Sequence, residues 1–344
     1  MALNFPDPAA QTPVNEFSPT STPASTDNGV VYTWTGNKWS AAGSGTYLPI
    51  SGGELTGDLT VPSLNEGPLS GFRNQIINGN NNIFQRRTSA AVSTSIGYYT
   101  ADRWYVGGTN GSTNAIAPTG VSGANFPFVW QNTLSAAGQY RQRIELFRNG
   151  QNAPFVTNSV WTLSFWSTQP ISEISVQFAR FIDTNNGTSG SNVTSTALTA
   201  IDTQSTWTRY SSKITIDQNA GTDNCFEIAI GFTGASNLTG IQLEPGPVAT
   251  VFENRPVGIE LALAQRYFEI GRTKSYVGGG DSTGIAAATN YKVSKRAVAT
   301  LFYGTDGAFQ YLPSSTEQNY VEGFSSLKNG SKEIAFTWSA DAEL

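Results

Sequence analysis

Residues 47–61 read Tyr47-Leu-Pro-Ile-Ser-Gly-Gly-Glu-Leu-Thr-Gly-Asp-Leu-Thr-Val61. Leu48, Ile50, Leu55, Leu59 and Val61 sit on a backbone broken by Gly52, Gly53 and Gly57. Two short strands flanking a Gly-Gly turn cannot bury those aliphatic side chains on each other. The flanking residues are too polar to help. The expected partners are the same residues in neighbouring copies, wound around a shared axis. The alternative is an ordinary hairpin packed on a domain of its own chain. Both readings make this a β protein.

Composition agrees. The 344 residues are 38% hydrophobic and only 13% charged, and Ser, Thr, Asn and Gly fill the difference. Many small polar residues and few strong helix formers point to short strands joined by tight turns. Length alone leaves room for roughly two or three domains. Histidine is absent, which removes imidazole-dependent triads and the commonest zinc ligand. The single cysteine, Cys225, lies in the strand-like run Asn224–Phe232 and reads as a buried, inert thiol. A formal charge of -5, with no basic block, argues against nucleic-acid binding. No run of about 18 apolar residues predicts a membrane span. The first residues lack the basic start and apolar core of a secretion signal, so assembly in the cytoplasm is expected. No spacing of carboxylates marks a glycosidase pair, and Asp183–Gly187 lacks the full pattern of a calcium loop. The chain therefore reads as a non-enzyme without cofactor or metal.

Along the chain, residues 1 to about 28 are rich in Pro, Ser, Thr and Ala and read as an extended arm. Val30, Tyr32 and Trp34 alternate, and Thr35–Lys38 reverses the chain to Trp39, making an aromatic hairpin. Tyr32, Trp34 and Trp39 need a surface to bury against; the alternative is packing on one another. Strand candidates then recur at sandwich spacing. Tyr140–Leu146 places Tyr140, Gln142, Ile144 and Leu146 on one face and Arg141, Arg143 and Glu145 on the other. Val160–Trp166 sets Trp161, Leu163 and Phe165 against Thr162, Ser164 and Trp166. Glu173–Phe178, Ser205–Tyr210, Lys213–Ile216 and Phe226–Phe232 continue the pattern, with Asp183–Asn192 as a connecting loop. Trp104 reads as core. One helix is predicted from Pro256, with Asn254 near its cap, Gly271 as its stop, and Val257, Leu261, Ala264 and Phe268 as its apolar stripe. Strands return at Ala297–Tyr303, Phe309–Leu312 and Ile334–Trp338.

Several of these segments resemble known proteins. Residues 47–61 resemble the Leu-Pro-Leu-Ser-Gly-Gly-Thr-Leu-Thr-Gly repeat of bacteriophage tail fibres and related trimeric virion proteins. Asp27–Trp39 is similar to the N-terminal part of fibres from phages of cyanobacteria and marine bacteria. Phe72–Ser89 with Tyr99–Val106 looks like the opening of a jelly-roll module of phage fibres, although Asn81, Phe84 and Arg87 depart from its usual residues. Gly240–Pro256 resembles that module's closing strand. The stretch Pro256–Glu269 and the final Phe336–Leu344 also look like fibre sequences.

The resemblance implies a mainly β homotrimer with an N-terminal virion-anchoring segment (1–45), an intertwined shaft (46–70), a carbohydrate-binding-like jelly-roll β-sandwich (71–255), and a connecting helix with a small C-terminal β domain (256–344). Leu48, Ile50, Leu55, Leu59 and Val61 would hold the trimer. Tyr32, Trp34 and Trp39 would dock on another phage tail or virion protein. The implied role is a tail fibre in the virion, attaching to a host cell-surface glycan. A virion adaptor, baseplate or capsid fibre that contacts only other virion proteins is the alternative, with a glycan-degrading spike behind it. Strand alternation offers Trp166 as a sugar-stacking aromatic. Arg141, Arg143, Glu145 and Gln177 would complete the platform if they share its face. Otherwise that face is solvated or meets a sister chain, and Arg141, Arg143 and Glu145 form a cross-strand charge ladder.

Overall fold

The computed structural model describes residues 16–17, 31–34, 39–42, 72–86, 98–99, 101–108, 114–117, 126, 128–132, 137–146, 155–169, 171, 173–181, 187–218, 223–276, 284–304, 313, 315–329 and 333–343. The chain divides into two compact units, Met1–Val61 and Pro62–Leu344. The aliphatic ribbon Leu48, Ile50, Leu55, Leu59 and Val61 lies outside the described residues, as does the expected strand at 309–312.

In the first unit, β1 (Glu16–Phe17), β2 (Val31–Trp34) and β3 (Trp39–Ala42) form an antiparallel sheet in that order. Trp34 is in register with Trp39, as a tight aromatic hairpin requires. Two residues of the expected arm are paired into this sheet. Glu16 and Phe17 pair with Thr33 and Tyr32, because the outer edge of β2 otherwise presents unpaired backbone groups.

The second unit is built on a β-sandwich. Its strands are β4 (Tyr98–Tyr99), β5 (Tyr105–Gly108), β6 (Asn114–Ala117), β7 (Val129–Asn132), β8 (Gly138–Glu145), β9 (Val160–Ser167) and β10 (Glu173–Phe181), then β11 (Gly187–Asn192), β12 (Thr194–Ser195), β13 (Thr199–Gln204), β14 (Trp207–Thr215), β15 (Cys225–Phe232) and β16 (Ser236–Pro245). One sheet has the order β11-β10-β15-β8-β5-β4; the other runs β12-β14-β9-β16-β7-β6, with β13 alongside β14. Part of the expected loop at 183–192 is thus an edge strand, β11 against β10.

The inward faces alternate as the sequence dictates, and Trp161, Leu163, Phe165, Ile228 and Ile230 fill the core between the sheets. Each such side chain contributes about 1.5–3 kcal/mol of burial. Trp104 stacks on Tyr140 at 4.4 Å, and Tyr140 stacks on Trp130 at 4.4 Å. The core therefore holds a column of large rings.

The opening and closing segments of the sandwich lie together. Gln75 N–H donates to the Leu243 carbonyl at 2.8 Å, and Ile241 N–H to that of Gly79 at 2.9 Å. A Cβ on Gly79 would stand 2.0 Å from the Ile241 carbonyl oxygen, so only glycine fits. Asn81, which departs from the family's aromatic, has a φ of 56°, a region Asn tolerates better than most residues. Its Oδ1 accepts from the Tyr140 hydroxyl at 2.8 Å, and its Nδ2 donates to the Leu238 carbonyl at 3.2 Å.

After the sandwich come α1 (Val257–Gln265), β17 (Phe268–Tyr276), β18 (Gly284–Asn290), β19 (Thr300–Gly304), β20 (Ser315–Asn319), β21 (Gly323–Asn329) and β22 (Glu333–Asp341). The sheets β17-β22-β19 and β18-β21-β20 share a core that includes Ile334, Phe336 and Trp338, which do share a face. The helix differs from its expected form. It ends at Gln265, Pro256 occupies the cap, and Phe268 opens β17 instead of closing an apolar stripe. Its buried residues are Glu260, Ala264 and Gln265, while Val257 is exposed. Glu260 turns inward because the Asn78 N–H and the Arg255 guanidinium need a buried acceptor there.

Candidate functional site

The sequence-predicted platform does not assemble. Trp166 lies on β9 in the seven-stranded sheet; Arg141, Arg143 and Glu145 lie on β8, and Gln177 on β10, in the six-stranded sheet. All five point away from the core, so the two groups occupy opposite outer faces of the sandwich. Trp166 is also only 6% exposed, packed in a cluster with Phe126, Val129 and Trp207. It is a satellite core residue rather than a sugar-stacking surface.

On the six-stranded face, register places Gln177, Glu227 and Arg143 side by side on adjacent strands. Glu227 is 2% exposed. It accepts from Arg143 Nε at 2.9 Å, Gln177 Nε2 at 2.9 Å and Arg141 Nη1 at 3.4 Å. Arg141 also donates to Gln139. Glu145 takes a two-pronged contact from Arg266, 3.1 and 3.0 Å, and the Tyr267 hydroxyl at 3.3 Å. These polar groups are committed to one another and to the chain just after α1. The arrangement is the cross-strand charge ladder of the alternative reading. Tyr105 belongs to the same face, 5.3 Å beneath the Arg143 guanidinium. Burial raises its phenol. Farther along, Cys225 is enclosed by Ala179, Ala264 and Tyr267, and burial pushes its thiol up to about 12. Burial thus disfavours the thiolate that a nucleophile needs.

A more open arrangement lies on the outer face of the sheet β17-β22-β19. Ile270 on β17 and Phe302 on β19 are both in register with Ser339 on the central strand. In the next row, Arg272 and Gly304 flank Thr337. Ile270 is 44% and Phe302 58% exposed, although both belong to residue types that normally avoid water. They stand about 10 Å apart, two strand spacings. Between them a cleft of about 580 Å³ is lined by these residues together with Gly271, Tyr303 and Trp338. Gly304, on the same face as Phe302, adds no side chain that would fill it. Ser339 and Thr337 on the central strand lie between the apolar Ile270 and Phe302, and Arg272 lines the cleft beside Thr337.

The arrangement can bind a ligand that has both an apolar face and several hydroxyls. It holds no paired carboxylates: Glu333 is bonded to Lys274 at 3.1 Å and Asp341 to Arg86 at 2.6 Å. Among the described residues, no group of three or more acidic or cysteine side chains could hold a metal ion.

Sequence reading missed this site because Phe302 and Ile270 look like ordinary strand hydrophobics. The available signal was alternation: Leu301 and Tyr303 alternate with Phe302, so both sides of β19 carry large side chains.

Neither a protein-family model nor a curated protein matches the chain. Among solved structures, it is similar to the enzymatically active domain of tailspike protein 4 of bacteriophage CBA120. Identity is 13% and the TM-score 0.31, over 54% of this chain and 24% of that one. An apo cyclase from Fischerella sp. matches at 10% identity and a TM-score of 0.30, covering 50% of this chain and 95% of the cyclase. A CBM4 carbohydrate-binding module matches at 14% and 0.28, covering 49% and 98%. The chain thus spans about a quarter of the tailspike domain. Likeness at this level fixes neither a common fold nor an activity.

Proposed function

We propose that this chain is a homotrimeric fibre of a bacteriophage virion, and that it attaches to a host-surface glycan through the cleft of the C-terminal sheet. The observation that carries the glycan reading is the pair Ile270 and Phe302, exposed in a cleft with Ser339 and Thr337 between them. A pyranose ring has an apolar C–H face and a hydroxyl rim, and it is held by an aromatic surface beside a few placed donors and acceptors. The virion setting is supported by the likeness of residues 27–39, 47–61 and 256–269 to phage fibre segments. In this reading residues 1–45 fix the fibre to the particle. The three copies present their clefts together, so weak single contacts gain strength through effective concentration. The protein binds the glycan without cleaving it.

The test is binding of the full chain to an array of bacterial surface oligosaccharides, alongside Phe302→Ala. Binding that Phe302→Ala weakens supports the assignment. Silence on the array, with tight binding to a tail protein, would replace it with a virion adaptor. New reducing ends in incubated host polysaccharide would replace it with a degrading spike.

A further inference from the structure

The sheet β18-β21-β20 carries a cleft of its own. On β21, Phe324 and Ser326 are buried, so alternation turns Gly323 and Ser325 outward. Register sets Ala288 and Gln318 on either side of Ser325, and Asn290 beside Gly323. Tyr320 stands on the other side of Gly323, its N–H donating to the Gly323 carbonyl at 2.8 Å. Asn290 and Tyr320 are thus two strand spacings apart, about 10 Å. These residues and Glu322 line a space of about 210 Å³. The sheets β17-β22-β19 and β18-β21-β20 share one core, so this cleft and the one beside Phe302 open outward from separate faces.

The polar groups here are free to meet a ligand. Among the described residues, nothing hydrogen-bonds the side chains of Asn290, Gln318 or Glu322, whereas Glu227 on the sandwich is committed to Arg143 and Gln177. All three are exposed, and Tyr320 is 56% exposed. The turn that presents them is fixed. Its Glu322 carbonyl accepts from the Tyr291 N–H at 2.9 Å, and its Val321 carbonyl from the Lys295 N–H at 2.7 Å. Lys295 is in turn buried against Glu269 at 2.6 Å. A ligand therefore meets a turn that needs little ordering, which lowers the cost of binding.

We propose that this cleft is a second carbohydrate site, which takes one neutral sugar ring on Tyr320 and binds its hydroxyls through Asn290, Gln318 and Glu322. The amides both donate and accept, and the carboxylate accepts from neighbouring hydroxyls. The aromatic ring covers the apolar C–H face. Among the described residues no basic side chain lines the cleft, so Glu322 repels an acidic sugar without an opposing charge. The proposal rests on the glycan reading above and adds to it that each chain holds two saccharides, one on each face.

The test is a ligand-observed NMR titration of the full chain carrying Phe302→Ala, in which the first cleft is weakened. The probes are the methyl glycosides of glucose, galactose, mannose and N-acetylglucosamine, with glucuronate as the acidic control. At least one neutral glycoside is expected to bind, and adding Tyr320→Ala to weaken it about tenfold. Gln318→Ala covers the case of a Tyr320→Ala chain that does not fold, and should weaken the same binding at least about twofold. Binding that withstands both substitutions overturns the second site. So does binding seen in the wild type and lost with Phe302→Ala alone, which leaves the first cleft standing. Binding that is unchanged by Phe302→Ala and lost with Tyr320→Ala supports the second site and removes the first. Glucuronate held as well as the neutral glycosides overturns the neutral-sugar assignment. A wild type that binds none of the glycosides overturns this site, while the array comparison with Phe302→Ala still decides the glycan reading by itself.

Discussion

Replacing Phe302 with alanine isolates the ring that makes the cleft a sugar site. The side chain is 58% exposed and stands on the end strand of its sheet, so truncation leaves no core cavity. A phenylalanine ring system offers about 200 Å², of which about 120 Å² here faces water. One pyranose covering a single ring face takes about half of that, about 60 Å². At about 25 cal/mol per Å² the lost contact is worth about 1.5 kcal/mol, or about a tenfold weaker Kd. The assay is calorimetric titration of the full chain with a short soluble oligosaccharide chosen from the array, so that single-site affinity is read without avidity. Tyr276→Ala removes a ring of similar exposure that does not line the cleft, and should leave the affinity unchanged. The thermal midpoint of Phe302→Ala should stay within a few degrees of wild type. If the variant keeps its fold and binds within twofold of wild type, the cleft is not where the sugar sits, whatever the array shows.

Three further outcomes follow from the packing. Glu227→Ala leaves the Arg143 guanidinium buried without its nearest carboxylate, so chemical denaturation should register a loss of about 3–5 kcal/mol; adding Arg143→Met should recover part of it, and no recovery would mean the pair is not coupled. Burial lifts the Asp102 carboxyl from 3.8 to about 6, against hydrogen bonds from Gln85. The folded state therefore holds an extra proton between those values, and this stabilisation, complete below pH 3.8, is lost as pH rises to about 6. Relative to Asp102→Asn, the wild type should lose up to about 3 kcal/mol of unfolding free energy between about pH 3.5 and 7, and parallel pH profiles for the two proteins would contradict the assignment. Finally, a Cβ on Gly271 would stand 2.3 Å from Cζ2 of the buried Trp338 ring, whereas one on Gly304 meets only the rotatable Thr337 hydroxyl at 2.8 Å. Gly271→Ala should cost about 1–3 kcal/mol and Gly304→Ala about 0.5 kcal/mol or less, measured as melting temperatures; equal shifts would refute the packing described beneath the cleft.

Much of the fold follows from local pattern. Period-two alternation in Tyr140–Leu146, Val160–Trp166 and Ile334–Trp338 determines which side chains enter a core, because each strand has only two faces. Asn81 marks backbone that few other residues adopt, and Gly79 a close approach of the Ile241 carbonyl that leaves no room for a Cβ. The absence of histidine and the lone Cys225 limit the chemistry before any coordinates are known. Alternation says which face a residue takes and is silent about which sheet its strand joins. That is why Trp166 and Arg141 share an outward orientation yet stand on opposite sides of the sandwich. Pairing across distant strands gave Glu227 to Arg143 and Gln177, and it brought Ile270 and Phe302 to either side of Ser339. The burial of Glu260 depends in the same way on Asn78, 182 residues away. A one-dimensional period cannot carry such partnerships, because they are settled by which strands and loops meet, and that is a property of the packed chain as a whole.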